Sequence, residues 1–147
     1  MRNVIFACLL LIVAACGGPP GTPEDVLRTW VTNGEVAAEE KNRSELLNMI
    51  SKNYVDARGN DRKQIGDLLR IYFFRQNSLA LLTSIDSIEV SGETAATVTL
   101  TIGMAGTKDA GLGISADAYK FEFELVKPDE DWLLIGARWA ELGQDLR

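Results

Sequence analysis

The sequence predicts an α+β domain in which three N-terminal helices pack on a curved four-stranded antiparallel sheet, behind a cleaved signal peptide. Three observations carry that expectation. Apolar residues recur at helical spacing from residue 22 to about residue 74, then alternate with polar ones from residue 79 to 139. The two patterns do not interleave, and helices gathered ahead of strands argue against a doubly wound sheet. The first fifteen residues form a separate unit, charged only at Arg2 and apolar without interruption from Val4 to Ala14.

That leader is too short for the ~20 residues a bilayer-spanning helix needs. It ends in Gly17-Gly18-Pro19-Pro20-Gly21, which cannot continue a helix. The junction Val13-Ala14-Ala15-Cys16 resembles the bacterial lipobox, a branched aliphatic and two small residues before a cysteine. The resemblance implies residues 1–15 as signal peptide, a diacylglycerol thioether on Cys16, residues 16–21 as lipidated cysteine and tether, and residues 22–147 as the domain. It also implies a place on the cell envelope. Gly17 stands where an aspartate would resemble an inner-membrane retention signal, so the expected site is the outer membrane, facing the periplasm, in a Gram-negative host. A tether from Gly17 to Gly21 reaches roughly 17 Å when extended, which keeps the domain near the headgroups.

Composition removes several chemistries. Cys8 would leave with the leader, so Cys16 would be the only cysteine of the mature chain, and a thioether there excludes disulfides, thiolate metal sites and cysteine nucleophiles. The chain has no histidine, which removes the usual neutral-pH proton shuttle and the commonest metal ligand. Without Arg2 the 132-residue mature chain has 14 Lys/Arg against 21 Asp/Glu, a net charge of −7. Such a surface repels nucleic acid and anionic headgroups, so attachment to a membrane is expected from acyl chains alone. No cofactor and no nucleic-acid partner is expected.

The elements follow in order. Thr22-Pro23-Glu24-Asp25 combines an N-cap, proline at N1 and an acid at N3, and the helix it opens places Val26, Leu27, Trp30, Val31, Ala37 and Ala38 on one face. Gly34, on that face, offers a neighbour close approach. A short second helix from Ser44 carries Leu46, Leu47 and Ile50; Ser44 as its cap explains the Asn42-Arg43-Ser44 triplet better than glycosylation does. Asp61 with Gln64 opens a third helix that turns Ile65, Leu68, Leu69, Tyr72 and Phe73 inward, while Ile71 and Phe74 widen its stripe. So apolar a helix is expected to be covered on more than one side.

Leu79, Leu81, Thr83 and Ile85 then share one side of a strand. The apolar phase shifts to Ile88 and Val90, which predicts a bulge near Asp86-Ser87. Ser91-Gly92-Glu93 turns the chain. Ala96, Val98, Leu100, Ile102 and Met104 face in, against Thr97, Thr99 and Thr101. Beyond a glycine-rich connection, Tyr119, Phe121, Phe123 and Leu125 alternate with Lys120, Glu122 and Glu124. An acidic turn at Pro128–Asp131 leads to a last strand from Trp132 to Trp139. The Gly111-Leu112-Gly113-Ile114-Ser115-Ala116 run matches a dinucleotide fingerprint only on paper, because no βαβ unit surrounds it; a loop is expected. Asp129-Glu130-Asp131 lacks the spaced ligands of a calcium loop.

The whole mature chain, from the capped helix at Pro23 to the closing strand Asp131-Trp132-Leu133-Leu134-Ile135-Gly136-Ala137-Arg138-Trp139, resembles the nuclear-transport-factor-2-like (NTF2-like, SnoaL-like) superfamily of cone-shaped domains. That resemblance implies a conical cavity between the helices and the concave sheet face, and often a homodimer through the outer face. Enzymes among its members, ketosteroid isomerases and SnoaL-type cyclases, hold an Asp, His or Tyr inside the cavity; others bind ligands or act as scaffolds. Asn53 to Asn60 leaves little room for the hairpin that many members carry between the second and third helices.

No catalytic motif of the superfamily matches residue by residue. The candidates for catalysis are Asp56, Tyr54 and Tyr72, and for a ligand pocket Trp30, Tyr54, Leu69, Tyr72 and Phe73. A carboxylate in an apolar cavity has a raised pKa and can shuttle a proton; the competing reading places Asp56 in the polar turn Asp56-Ala57-Arg58-Gly59-Asn60. Arg138 is expected to project outward. The leading functional expectation is a membrane-anchored, non-enzymatic domain that binds a small apolar ligand or supports an envelope complex. Its rivals are an isomerase or hydratase-like enzyme using Asp56 with a tyrosine, and a purely structural domain whose aromatics fill the cone.

Overall fold

The computed structural model describes residues 21–108 and 114–147. Cys16, the leader, tether residues 16–20 and Gly111 to Gly113 of the paper fingerprint lie outside the described residues. Its elements run α1 (Pro23–Glu39), α2 (Arg43–Asn48), α3 (Arg62–Arg75), β1 (Gln76–Ser91), β2 (Ala95–Lys108), β3 (Ile114–Val126) and β4 (Leu133–Glu141). The four strands form one antiparallel meander in the order β1-β2-β3-β4. Three helices ahead of four strands is the architecture the period change predicts. Ile114–Ala116 begin β3, so the second half of the paper fingerprint is strand.

The helix starts behave as their sequences dictate. Thr22 accepts from the Asp25 N–H while the Asp25 carboxylate accepts from the Thr22 N–H, at 3.2 and 3.1 Å, and Pro23 occupies the first turn. Asp61 and Gln64 form the same reciprocal pair at α3, at 2.8 and 2.9 Å. At α2 the cap is Asn42 rather than Ser44: Asn42 Oδ1 accepts from the Glu45 N–H at 3.1 Å. An amide oxygen two residues earlier reaches the same kind of orphan donor. α2 ends at Asn48, and Ile50, expected on that helix, instead bridges Leu134 of β4 in parallel.

Packing sorts the apolar residues. Leu27 and Val31 of α1 meet Val98, Leu100, Leu125, Trp132 and Leu134 of the sheet and its entry turn in one core cluster. Val26 and Leu68, expected to face in, are exposed, as are Ile71 and Phe74. Thus α3 is not covered on more than one side; among its residues only Gly66 is fully buried. Ile65 packs against the core cluster, while Leu69, Tyr72 and Phe73 face a space. Gly66 fits closely because its carbonyl accepts from Arg43 Nε at 2.6 Å, and an added Cβ would lie 2.8 Å from Arg43 Nη2. Gly34 likewise takes Met49 against its backbone, where a Cβ would meet Met49 Cε at 3.3 Å.

The sheet keeps the predicted phases. A register shift between Ile85 and Ser87 is the bulge that moves the inward set to Ile88 and Val90. Gly92 turns β1 into β2 with φ +65°, a value that favours a residue without Cβ. A second irregularity, between Glu124 and Leu125 against Leu134 and Gly136, bends β4. The outward face pairs its charges: Arg138 with Glu122, and Lys120 with Asp86 at 3.8 Å. In place of a hairpin after α2, residues 55–61 close on a single Val55–Asp61 bridge, with Gly59 at φ +82°.

Leu27→Ala should lower the unfolding free energy by about 2–5 kcal/mol, because the lost side chain is fully buried in the core cluster. Phe74→Ser, at a position 86% exposed, should change it by less than about 0.5 kcal/mol. Urea denaturation followed by circular dichroism reads both.

Candidate functional site

Alternation along β3 and curvature of the sheet put one face of every strand toward α1 and α3. Between them lies a cavity of about 860 Å³, at the upper end of the roughly 300–1,000 Å³ typical of ligand pockets. A cone filled by its own aromatics is therefore not what this chain builds. Trp30 from α1, Tyr54 from the segment after α2, and Leu69, Tyr72 and Phe73 from α3 all line it.

The floor is aromatic. Tyr119, Phe121 and Phe123 take successive inward positions on β3, with Phe121 and Phe123 centroids 5.4 Å apart. Trp139 of β4 stacks on Phe121 at 6.3 Å and 25°, and Trp30 meets Phe123 edge-on at 6.1 Å and 80°. Quadrupole attraction favours both geometries. Arg58 closes this row at the mouth: its guanidinium lies 4.3 Å above the Trp139 ring and donates to the Trp139 carbonyl at 3.2 Å. The Trp30 Nε1 donor is buried with no partner among the described residues, an unmet demand at the wall of the cavity.

Asp56 does not belong to this site. It is 5% exposed, and its carboxylate accepts from the N–H groups of Arg58 at 2.9 Å and Asn60 at 2.8 Å and from Asn60 Nδ2 at 2.9 Å. Those three bonds hold the turn that carries Arg58, and Asp56 is absent from the cavity lining. The polar-turn reading describes its place: Arg58 gives Asp56 its backbone N–H, while its cation goes to Trp139. The proton-shuttle role expected of Asp56 loses its geometry.

Other carboxylates line the cavity, Glu35, Asp117, Glu141 and Asp145, and of these Asp117 acts on the phenols most. Asp117 lies two residues before Tyr119 on the inward register of β3, opposite Met104, and lines the mouth. Its charge acts on two phenols. Burial first, and then Asp117, hold the Tyr72 hydroxyl above the ordinary tyrosine range. Tyr119 is raised by the same two causes in the same order, with Glu141 adding and Arg58 opposing. Tyr54, 3% exposed, is pushed up furthest, by burial and secondarily by Asp56. The arrangement can therefore hold apolar mass against the floor and meet a polar group with two neutral phenols, Asp117 and Arg58, among the other charged side chains of the lining. Extending the Tyr119–Phe121–Phe123 alternation back one step would have found Asp117; the glycine-rich stretch just before it hid where the strand begins.

Neither a family profile nor a curated protein matches this sequence. Solved structures do match in fold. A candidate dehydratase of the NTF2-like family from Streptomyces avermitilis superposes with a TM-score of 0.71 at 11% identity, covering 85% of this chain and 100% of that one. A ketosteroid isomerase-like protein from Erwinia carotovora atroseptica gives 0.68 at 11% identity, covering 84% and 100%. A hexachlorocyclohexane dehydrochlorinase from Novosphingobium barchaimii gives 0.68 at 9% identity, covering 84% and 89%. The chain thus has the NTF2-like α+β fold, and these neighbours include enzymes.

All three tyrosines of the chain, Tyr54, Tyr72 and Tyr119, have raised folded-state pKa values. Each contributes stability that is present below the unfolded value near 10 and lost as pH rises through the folded value. In a spectrophotometric titration, phenolate absorbance should lag behind that of the urea-unfolded chain. Asp117→Asn should bring the onset partway back by relaxing Tyr72 and Tyr119, with Tyr54 unmoved. A native curve that overlays the unfolded one would contradict the buried placement of the phenols.

Proposed function

We infer that this domain binds a small, largely apolar molecule in its cone while a lipid on Cys16 holds it to the cell envelope. The cavity of about 860 Å³ carries the first half of that reading. A protein interior closes voids because unfilled space forfeits dispersion contacts. A chain that keeps this volume open, with an aromatic row along its floor, is shaped for an occupant. The ligand should be mostly hydrocarbon or ring, with one polar group that meets Tyr72, Tyr119, Asp117 or Arg58 at the mouth. The lipobox-like Val13-Ala14-Ala15-Cys16 motivates the second half.

A second reading draws on Asp117. A carboxylate beside two neutral phenols at the edge of an apolar cavity can take a proton from a bound molecule while a phenol steadies the charge that forms. The neighbours named as a dehydratase, an isomerase-like protein and a dehydrochlorinase keep an elimination or isomerisation of this kind open for this fold. The two readings share the cavity and differ in whether the ligand changes.

Native mass spectrometry of protein extracted from membranes in mild detergent should show a small-molecule adduct on the wild type. Leu69→Trp, which fills the cavity, should lose it with little loss of stability. No adduct and no saturable uptake of an apolar fluorescent probe would defeat the binding reading. Incubating the loaded protein in deuterium oxide separates the second reading: deuterium entering the ligand's carbon skeleton, and lost with Asp117→Asn, supports proton transfer, whereas an unchanged ligand supports binding alone. Intact-mass analysis should find Cys16 as an acylated N-terminus; an unprocessed Met1 with no added lipid would defeat the anchor.

A further inference from the structure

Charge is divided unevenly along this acidic chain. Residues 43–75, which hold α2 and α3, carry seven Lys/Arg against four Asp/Glu; all other positions together carry eight against seventeen. The average therefore misrepresents this face. On α3 itself Arg62, Lys63, Arg70 and Arg75 stand against Asp67 alone. The Lys63 and Arg70 side chains are 85% and 70% exposed, and Asp67, at 3.2 and 3.5 Å from them, neutralises less than the pair brings. At the N-terminal end of the helix, Arg43, Lys52, Arg62 and Lys63 surround a small hollow whose acid is Asp61.

Among these cations α3 turns Leu68, Ile71 and Phe74 to solvent, 51%, 45% and 86% exposed. Residues three apart lie next to one another on a helix, so the three make one apolar stripe. A stripe of Leu, Ile and Phe bordered by Lys and Arg is the pattern of a helix seated in a membrane interface. Its location adds to the pattern. Leu68 and Ile71 also line the cavity, and Arg75 does the same at the helix end. The stripe is the lip of the cavity mouth.

We propose that α3 docks its Leu68–Ile71–Phe74 stripe into an anionic lipid surface, so that the cavity opens onto the bilayer and takes its apolar ligand from there. This rests on the ligand-binding reading above and adds the source of the ligand. Charge complementarity selects the occupant: the positive excess of α2 and α3 suits anionic headgroups, while the acidic remainder of the chain is repelled by them and turns the domain this face down. The tether does not oppose that pose. Lys41, just past the end of α1, donates to the carbonyls of Gln76 and Asn77 at 3.0 Å, beside the end of α3. The 17 residues of α1, about 26 Å long, separate that corner from the tether. A tether reaching roughly 17 Å lets α1 tilt away from the bilayer, so its four acids stay clear of the headgroups while the α3 corner meets them.

The test uses the full chain reconstituted on phosphatidylcholine vesicles with and without phosphatidylglycerol, some of them carrying brominated acyl chains. Phe74→Trp is compared with Leu82→Trp, a position 78% exposed on the outward face of β1. On anionic vesicles the bromines should quench about half of the emission added at position 74 and less than about a tenth of that added at 82. On neutral vesicles quenching at 74 should fall by roughly threefold. Equal quenching at the two positions, none at 74, or no dependence on phosphatidylglycerol would overturn the proposal. So would a photocrosslink from position 74 to a second copy of the chain on the same vesicles. Adduct detection by native mass spectrometry reads the ligand separately, so an empty cavity with position 74 quenched would defeat that reading and leave the docking intact.

Discussion

The backbone pairing between residues 49–57 and the outer edge of β4 is the constraint from which the rest of the structure follows. Leu134 donates to the Met49 carbonyl at 2.9 Å, and Ser51, Val55 and Ala57 donate in turn to Leu134, Ile135 and Ala137 at 2.9, 3.2 and 3.0 Å. This strap gives partners to a strand edge that would otherwise be open to pairing with another chain. It also sets where each neighbouring piece can go. Ile50 and Tyr54 are pulled into the cone, Asp56 folds the following turn around its carboxylate, and Arg58 is delivered over Trp139. The chain then re-emerges at Asp61 in position to start α3.

How α3 is held explains why the cone stays open. Arg62 Nε donates to the Leu47 and Ile50 carbonyls at 3.1 and 3.0 Å, and Arg62 Nη2 reaches Leu47 again at 2.7 Å. Arg43 binds the Gly66 carbonyl from the other side. Charge-assisted bonds of this kind are stronger than neutral ones, and they clamp the first two turns of α3 to α2. Beyond Gly66 the helix meets the sheet through a side-chain contact, the Tyr72 hydroxyl donating to Met104 Sδ of β2 at 4.0 Å across the cavity. Its far end is fixed through β1 and Lys41, so the helix spans the cavity as a wall. A helix drawn inward along its whole length would have buried Leu68 and Ile71 and left no space for an occupant.

Asp56 and Asp117 show why the candidate chemistry was only partly legible. Both are aspartates near tyrosines in sequence, at Tyr54 and Tyr119. Asp56 is consumed by three N–H donors of its own turn, which serves the fold. Asp117 inherits an inward direction from strand alternation, which serves the cavity. Composition and local polarity pointed to the first. Only the extent of β3, which the glycines before it obscured, pointed to the second. The aromatic residues were easier to read, because their size and period place them on the inner face whatever the details of the mouth.

The order of elements, both capping boxes, the bulge at Asp86-Ser87, the inward rows of β2 and β3 and the aromatic character of the interior were determined by the sequence itself. These depend on spacing, on capping chemistry and on turn residues, all of which act over a few positions. Tertiary structure alone decided that α3 would be a wall and not core, that Ile50 would leave its helix to pair with Leu134, and that Asp117 rather than Asp56 would line the cavity. Each of those outcomes turns on long-range partners — arginines seeking buried carbonyls, an open strand edge seeking N–H groups — which hydrophobic periodicity does not record.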